Sequence, residues 1–138
     1  MTTHITKTPL EAKVREYFSA HGITPKEHVG FEVAPHVPMS LRAWICEISF
    51  DAVRYRRSIL SPQGANTLKK DIEFYHENGA YIEHLEIISD GKELSISTFP
   101  VTNEYQIITT IGKKSVPHVT TSIDEVIQLL PEPRKIVA

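Results

Sequence analysis

A single cysteine, Cys46, stands in the 138 residues, and one thiol excludes an intramolecular disulfide and any cysteine-rich zinc site. No apolar run approaches the ~20 residues that span a bilayer. The start, MTTHITKTPLEAK, lacks the basic opening and continuous apolar stretch of a secretion signal. No membrane association is expected, and a cytoplasmic location fits the lone thiol. Net charge is nearly absent as well: fifteen Lys and Arg stand against seventeen Asp and Glu, for a formal -2, which gives no bulk pull toward nucleic acid or anionic membrane. Glycine is scarce, with six in the chain. Neither Gly-x-Gly-x-x-Gly nor Gly-Lys-Ser/Thr occurs, so no nucleotide motif is present.

What remains is the composition of a folded protein, with 41% hydrophobic and 23% charged residues, in a chain long enough to bury one core without staples. Residues 1–138 read as a single domain, with 1–7 and 131–138 expected to fray. A first helix is signalled by Thr8 as cap, Pro9 in the first turn, Glu11 behind it and Gly22 as stop. Leu10, Val14, Tyr17 and Phe18 give it one apolar face. LRAWICEISF and VRYRRSIL alternate as strands do, joined at Asp51-Ala52. A second helix ends at Gly79, with Leu68, Ile72 and Tyr75 as its stripe. YIEHLEIIS and KELSISTF flank Asp90-Gly91, a strong hairpin signal that sets Leu85 beside Ile96 and Ile87 beside Leu94. EYQIITTI is a further strand, and Ser122 caps a last helix with Ile123, Val126, Ile127 and Leu130 along one side. The expected order is α-β-β-β-α-β-β-β-α: an α+β domain of three helices on a mainly antiparallel sheet of five to six strands.

Three arginines in VRYRRS cannot share one face of a strand. With a two-residue turn at Asp51-Ala52, Arg54 and Arg56 fall on the wet face, with Glu47 opposite Arg56 as a cross-strand ion pair. Arg57 falls on the apolar face, opposite Cys46. A guanidinium there needs a carboxylate, carbonyls, an anionic ligand or a route to water. One reading pairs it with an acid from the helices. Another sets it in a cleft for an anion together with Cys46 and the SPQGAN loop, where Ser61, Gly64 and Asn66 would present backbone N–H groups. Ordinary helix capping by Ser61 or Asn66 competes with that cradle. A cationic neighbour would also favour the Cys46 thiolate, as a thiol enzyme requires.

Seven histidines occur, but His76 and His84 are separated by a helix end and Gly79, so no metal site and no cofactor is expected. Charge is segregated along the chain. Residues 53–70 hold Arg54, Arg56, Arg57, Lys69 and Lys70 without an acid, and 71–91 hold six acids without Lys or Arg. Such blocks either neutralise one another across the fold or present charged sides to a partner. Nucleic acid is not an expected partner, since the basic run carries one aromatic, Tyr55.

With no catalytic motif, the expectation is a non-enzymatic protein that binds another protein and occludes it stoichiometrically through Arg54, Arg56, Lys69 and Lys70, with Arg57 as anchor. In a bacterial or phage setting that is the work of an immunity protein or an inhibitor. The alternative is a small-ligand or anion-binding protein, or a thiol enzyme, using Arg57 and Cys46. The element order also resembles that of type III secretion chaperones, a likeness that implies a small dimeric α+β protein escorting a client. A homodimer is consistent with either protein-binding reading.

Overall fold

A computed structural model describes residues 7–30, 44–59, 69–89 and 91–131. For Lys69 and Lys70 it describes the backbone only. Helix α1 (Pro9–Ala20) begins where the sequence places it: the Thr8 hydroxyl accepts the Glu11 N–H at 3.1 Å, Pro9 opens the first turn, and the chain turns at Gly22 with φ 67°. Strands β1 (Lys26–Gly30), β2 (Trp44–Phe50) and β3 (Val53–Ile59) follow, then helix α2 (Lys69–Glu77). Strands β4 (Tyr81–Ser89), β5 (Lys92–Phe99), β6 (Glu104–Ile111) and β7 (Lys114–Thr120) precede helix α3 (Ile123–Ile127), which the Ser122 hydroxyl caps by accepting the Glu125 N–H at 3.3 Å.

The seven strands form one antiparallel sheet in chain order, each paired only with its sequence neighbours. Asp51 takes φ 50° at the β2–β3 turn, a left-handed conformation that Asp tolerates better than most residues. The turn sets Cys46 opposite Arg57 and Glu47 opposite Arg56. Gly91, at φ 75°, closes the β4–β5 hairpin with Leu85 opposite Ile96 and Ile87 opposite Leu94. Both registers are those the sequence implies.

Two features depart from the sequence reading. The α+β class and three helices stand, but the sheet has seven strands where five to six were expected. The addition is β7, whose residues are exposed almost throughout and which carries Pro117 at its centre. Proline normally argues against a strand, and it fits here because β7 is an edge strand. Pro131, placed in the frayed tail, accepts a hydrogen bond from the Tyr17 hydroxyl.

The three described helices all cover one face of the sheet. Leu10, Val14 and Phe18 of α1 and Val126 of α3 pack on Ile48, Tyr55, Leu85, Ile87, Ile96 and Ile107. Ile72 of α2 packs on Trp44, Cys46 and Ile59 at the other end of the same face. Arg54 and Arg56 alternate with Tyr55 and Arg57 and therefore point to the opposite side.

Candidate functional site

Two arrangements stand out, one inside the fold and one on its open face. Inside, Arg57 lies 1% exposed between Cys46 and Glu83, its partners on β2 and β4. Its Nη2 meets Glu11 Oε1 of α1 at 2.9 Å, an ion pair misaligned for a hydrogen bond, and its guanidinium sits 5.2 Å from the Trp44 ring centre. Nε and Nη1 of Arg57 have no hydrogen-bond partner among the described residues. Glu11 Oε2 takes Arg15 Nε at 2.7 Å, and Arg15 Nη1 reaches Glu27 of β1 at 2.7 Å. On the other side Glu83 Oε2 accepts from both the Tyr55 hydroxyl and the Thr8 hydroxyl.

Carboxylates and guanidiniums thus alternate through the layer that joins α1 to β1, β3 and β4. Burial raises the Glu83 carboxyl above its ordinary range, against the lowering effect of the Thr8 and Tyr55 hydroxyls and of Arg57. Burial and the adjacent Glu83 charge push the Tyr55 hydroxyl up. The chemical work open to this cluster is mechanical: it fastens the start of α1 to the sheet. Glu11 already pairs with the Arg57 charge, and Arg57 has no exposed surface to offer a partner.

The other proposed site residues disperse. Cys46 is buried, and burial together with Glu11 raises its thiol more than Arg57 lowers it; a raised thiol is a poor nucleophile at neutral pH. His76 stacks on Tyr81 at 4.6 Å between ring centres, and burial followed by the Arg57 charge lowers it to about 4. His76 on α2 and His84 on the open side of β4 lie on opposite faces of the sheet. Among the described residues no group of three His, Cys, Asp or Glu is placed to hold a metal. Ser61, Gly64 and Asn66 lie outside the described residues, and so does the phosphate cradle read from them. No helix among the described residues is long and apolar enough to cross a membrane.

The open face is read row by row, because registers align residues across all seven strands. One row runs Lys26, Ser49, Arg54, Glu86, Ser95, Ile108, Pro117, and the next His28, Glu47, Arg56, His84, Ser97, Gln106, Val119. Arg54 and Arg56 are exposed here. The Glu47 contact observed is diagonal, with Arg54 Nε at 3.8 Å, although Glu47 lies opposite Arg56 as expected. Arg54 faces Glu86 and Arg57 faces Glu83, so the basic and acidic blocks of the sequence meet across β3 and β4. Helix α2, whose first residues are Lys69 and Lys70, packs through Ile72 on the other side of the sheet from Arg54 and Arg56. Ile45 and Ser58 are buried on the open face, whereas Ile82 (57%), Ile88 (52%) and Phe99 (44%) are exposed. A cleft of about 370 Å³ opens beside the β2–β3 turn, lined among others by Lys26, Arg54, Glu86 and Ile88.

No known protein family matches the chain, no curated protein matches it, and neither does any solved structure. The likeness to secretion chaperones therefore rests on element order, which does not carry function.

Neither Glu11 nor Glu83 was singled out from sequence as a neighbour of Arg57. The signal was present in both cases. Glu83 falls on the same side of its strand as Tyr81, Leu85 and Ile87, and Glu11 lies between Leu10 and Val14 on the buried helix stripe.

Proposed function

We propose that the chain is a non-enzymatic protein that binds another protein across the open face of its sheet and occludes it one to one, in the manner of an inhibitor or immunity protein of the bacterial or phage cytoplasm. The observation that carries this reading is the sheet face that no described helix covers, on which Arg54 and Arg56 stand exposed and Ile82, Ile88 and Phe99 are exposed as well. Large apolar side chains left uncovered beside charge, here at both ends of β4, are the mark of an interaction surface. Arginine adds affinity when it is covered and speeds encounter with an acidic target. Arg57 serves this function indirectly, by fixing the strand that displays its two neighbours. The raised Cys46 thiol and the carboxylates around Arg57 favour this reading over a thiol enzyme or an anion site.

The test uses the native protein and the Arg54→Glu/Arg56→Glu variant as baits for a target, followed by kinetics with the captured protein. The expected result is equimolar capture by native protein, with an on-rate about ten-fold lower for the variant at low salt and a flatter salt dependence. Circular dichroism should be unchanged, because both arginines are exposed. Equal capture by the two baits would remove the open face from the proposal.

A further inference from the structure

The described helices leave one corner of their own side of the sheet uncovered. Alternation puts Lys92 on the side of β5 that holds the core residues Leu94 and Ile96, and Ile111 on the side of β6 that holds Ile107. Lys114 and Val116 fall on that side of β7 with His118. The registers set these residues in two rows, Ser89, Lys92, Ile111, Lys114 at the hairpin ends and Ile87, Leu94, Thr109, Val116 behind them. Ile87 and Leu94 are buried, whereas Ile111 is 60% exposed and Val116 62%. The cover therefore ends between β5 and β7. Ile111 and Val116 are diagonal neighbours on adjacent strands, close enough to form one apolar surface.

Helix α3 shows what this side of the edge strand holds. Its Val126 is buried in the core that contains Ile107, and its Glu125 reaches β7, where Oε1 meets His118 Nε2 at 2.7 Å and Oε2 accepts from the Thr120 hydroxyl at 2.6 Å. One helix thus lays an apolar residue toward β6 and a carboxylate on β7. Val116 and Lys114 continue the His118 side of the strand, about 7 and about 13 Å closer to the hairpin at the rise of a strand. They offer the same two things, apolar surface and a side chain that a carboxylate can pair with, and Lys92 and Lys113 add two more charges. Among the described residues no carboxylate lies within ion-pair distance of these three lysines. A basic or neutral helix laid on Ile111 and Val116 would leave the ammonium groups without a partner, whereas glutamates along its flanks would pair with them. The corner spans three strands, about 10 Å, which is the width of one helix.

We propose that this corner receives one acidic, amphipathic helix of a partner protein, laid beside α3 so that its apolar side chains cover Ile111 and Val116 and its carboxylates pair with Lys92 and Lys114. The partner supplies the helix that the layer lacks, in the helix-in-groove manner of recognition. This surface is separate from the open face, because it lies on the helix side of the sheet. A partner held here leaves Arg54 and Arg56 free, and the chain can join two proteins at once.

The test titrates the isotope-labelled full chain with synthetic peptides of about 18 residues, long enough to be helical, and follows the amide spectrum. The probe carries a leucine stripe flanked by glutamates, and its control has the same leucines flanked by lysines. The glutamate peptide should give saturable shifts confined to the β4–β5 and β6–β7 hairpin ends and to α3, and the lysine peptide none. In Lys92→Glu/Lys114→Glu the glutamate peptide should bind about ten-fold more weakly and the lysine peptide should now bind. Both lysines are exposed, so the rest of the variant's spectrum should match the native one. Arg54→Glu/Arg56→Glu should bind the glutamate peptide as the native chain does. Absence of shifts with the glutamate peptide overturns the proposal, as does equal binding of both peptides. Loss of binding in Arg54→Glu/Arg56→Glu would assign the peptide to the open face and sink the corner while sparing the proposed function. A native chain of doubled mass that Lys92→Glu/Lys114→Glu returns to single mass would give the corner to a second copy, and the partner helix would fall.

Discussion

At the scale of the residue, Arg57 shows how a charge becomes structural. Three arginines within four positions cannot share a face of β3, and the one that turns inward meets Glu11 at 2.9 Å and the Trp44 ring. Removing one member of a buried ion pair strands the other, which costs about 3 to 5 kcal/mol, whereas replacing both with apolar groups of similar volume is often neutral. Glu11→Gln is therefore expected to lower the unfolding free energy by about 3 kcal/mol in urea titration. The double variant Glu11→Leu/Arg57→Met should recover most of that loss. If Glu11→Gln cost under about 1 kcal/mol, the pair would not be what holds α1 to the sheet. The presence of Arg57 on the inner face could be read from the alternation of VRYRRS, but its partner could not. An acid in the first turn of a helix is explained by capping preference alone, and only the packing of α1 on β3 brings Glu11 over Arg57.

At the scale of the element, the sheet was largely legible because its turns announce themselves. Asp90-Gly91 and Asp51-Ala52 fixed two registers, and from them followed which side of each strand faces the helices. Gly91 holds φ 75°, and a Cβ added there would meet nothing within 4 Å. Any loss in Gly91→Ala is thus conformational, and about 1 kcal/mol is expected in urea titration. No loss would mean that the turn relaxes to another type. Strands β1 and β7 were hard to see for a shared reason. Both lie at sheet edges, so neither buries a full alternating row, and the apolar period that identifies inner strands is missing from KEHVG and KSVPHVT. Lys69 and Lys70 were grouped with the arginines because they follow them in sequence. A helix that crosses to the covered side of the sheet breaks that grouping, and no local pattern reports which side a helix takes.

At the scale of the whole molecule, two buried groups make stability depend on pH in opposite directions. His76 is lowered to about 4, below its ordinary 6.5, so its contribution is complete above pH 6.5 and lost as pH falls toward 4. Glu83 is raised above 4.5, so its contribution is complete below pH 4.5 and lost as pH rises through its folded value. Acidification therefore weakens the fold through His76 and relieves it through Glu83. In His76→Gln the fall in stability between pH 6.5 and 4 should shrink by about 1 to 2 kcal/mol, once partial exposure of the ring is discounted. A thermal midpoint recorded against pH reads this, and parallel profiles for native and variant would discard the role of His76. Strand order equals chain order, so every pairing in the sheet is made with the preceding strand and can form as soon as that strand exists. Helix α1 obeys a different clock. Its cap, Thr8, binds Glu83, 75 residues further on, and its Glu11 binds Arg57 of β3. During synthesis α1 meets Arg57 as soon as β3 exists, but its capped end must wait for β4 before it can be tied to Glu83.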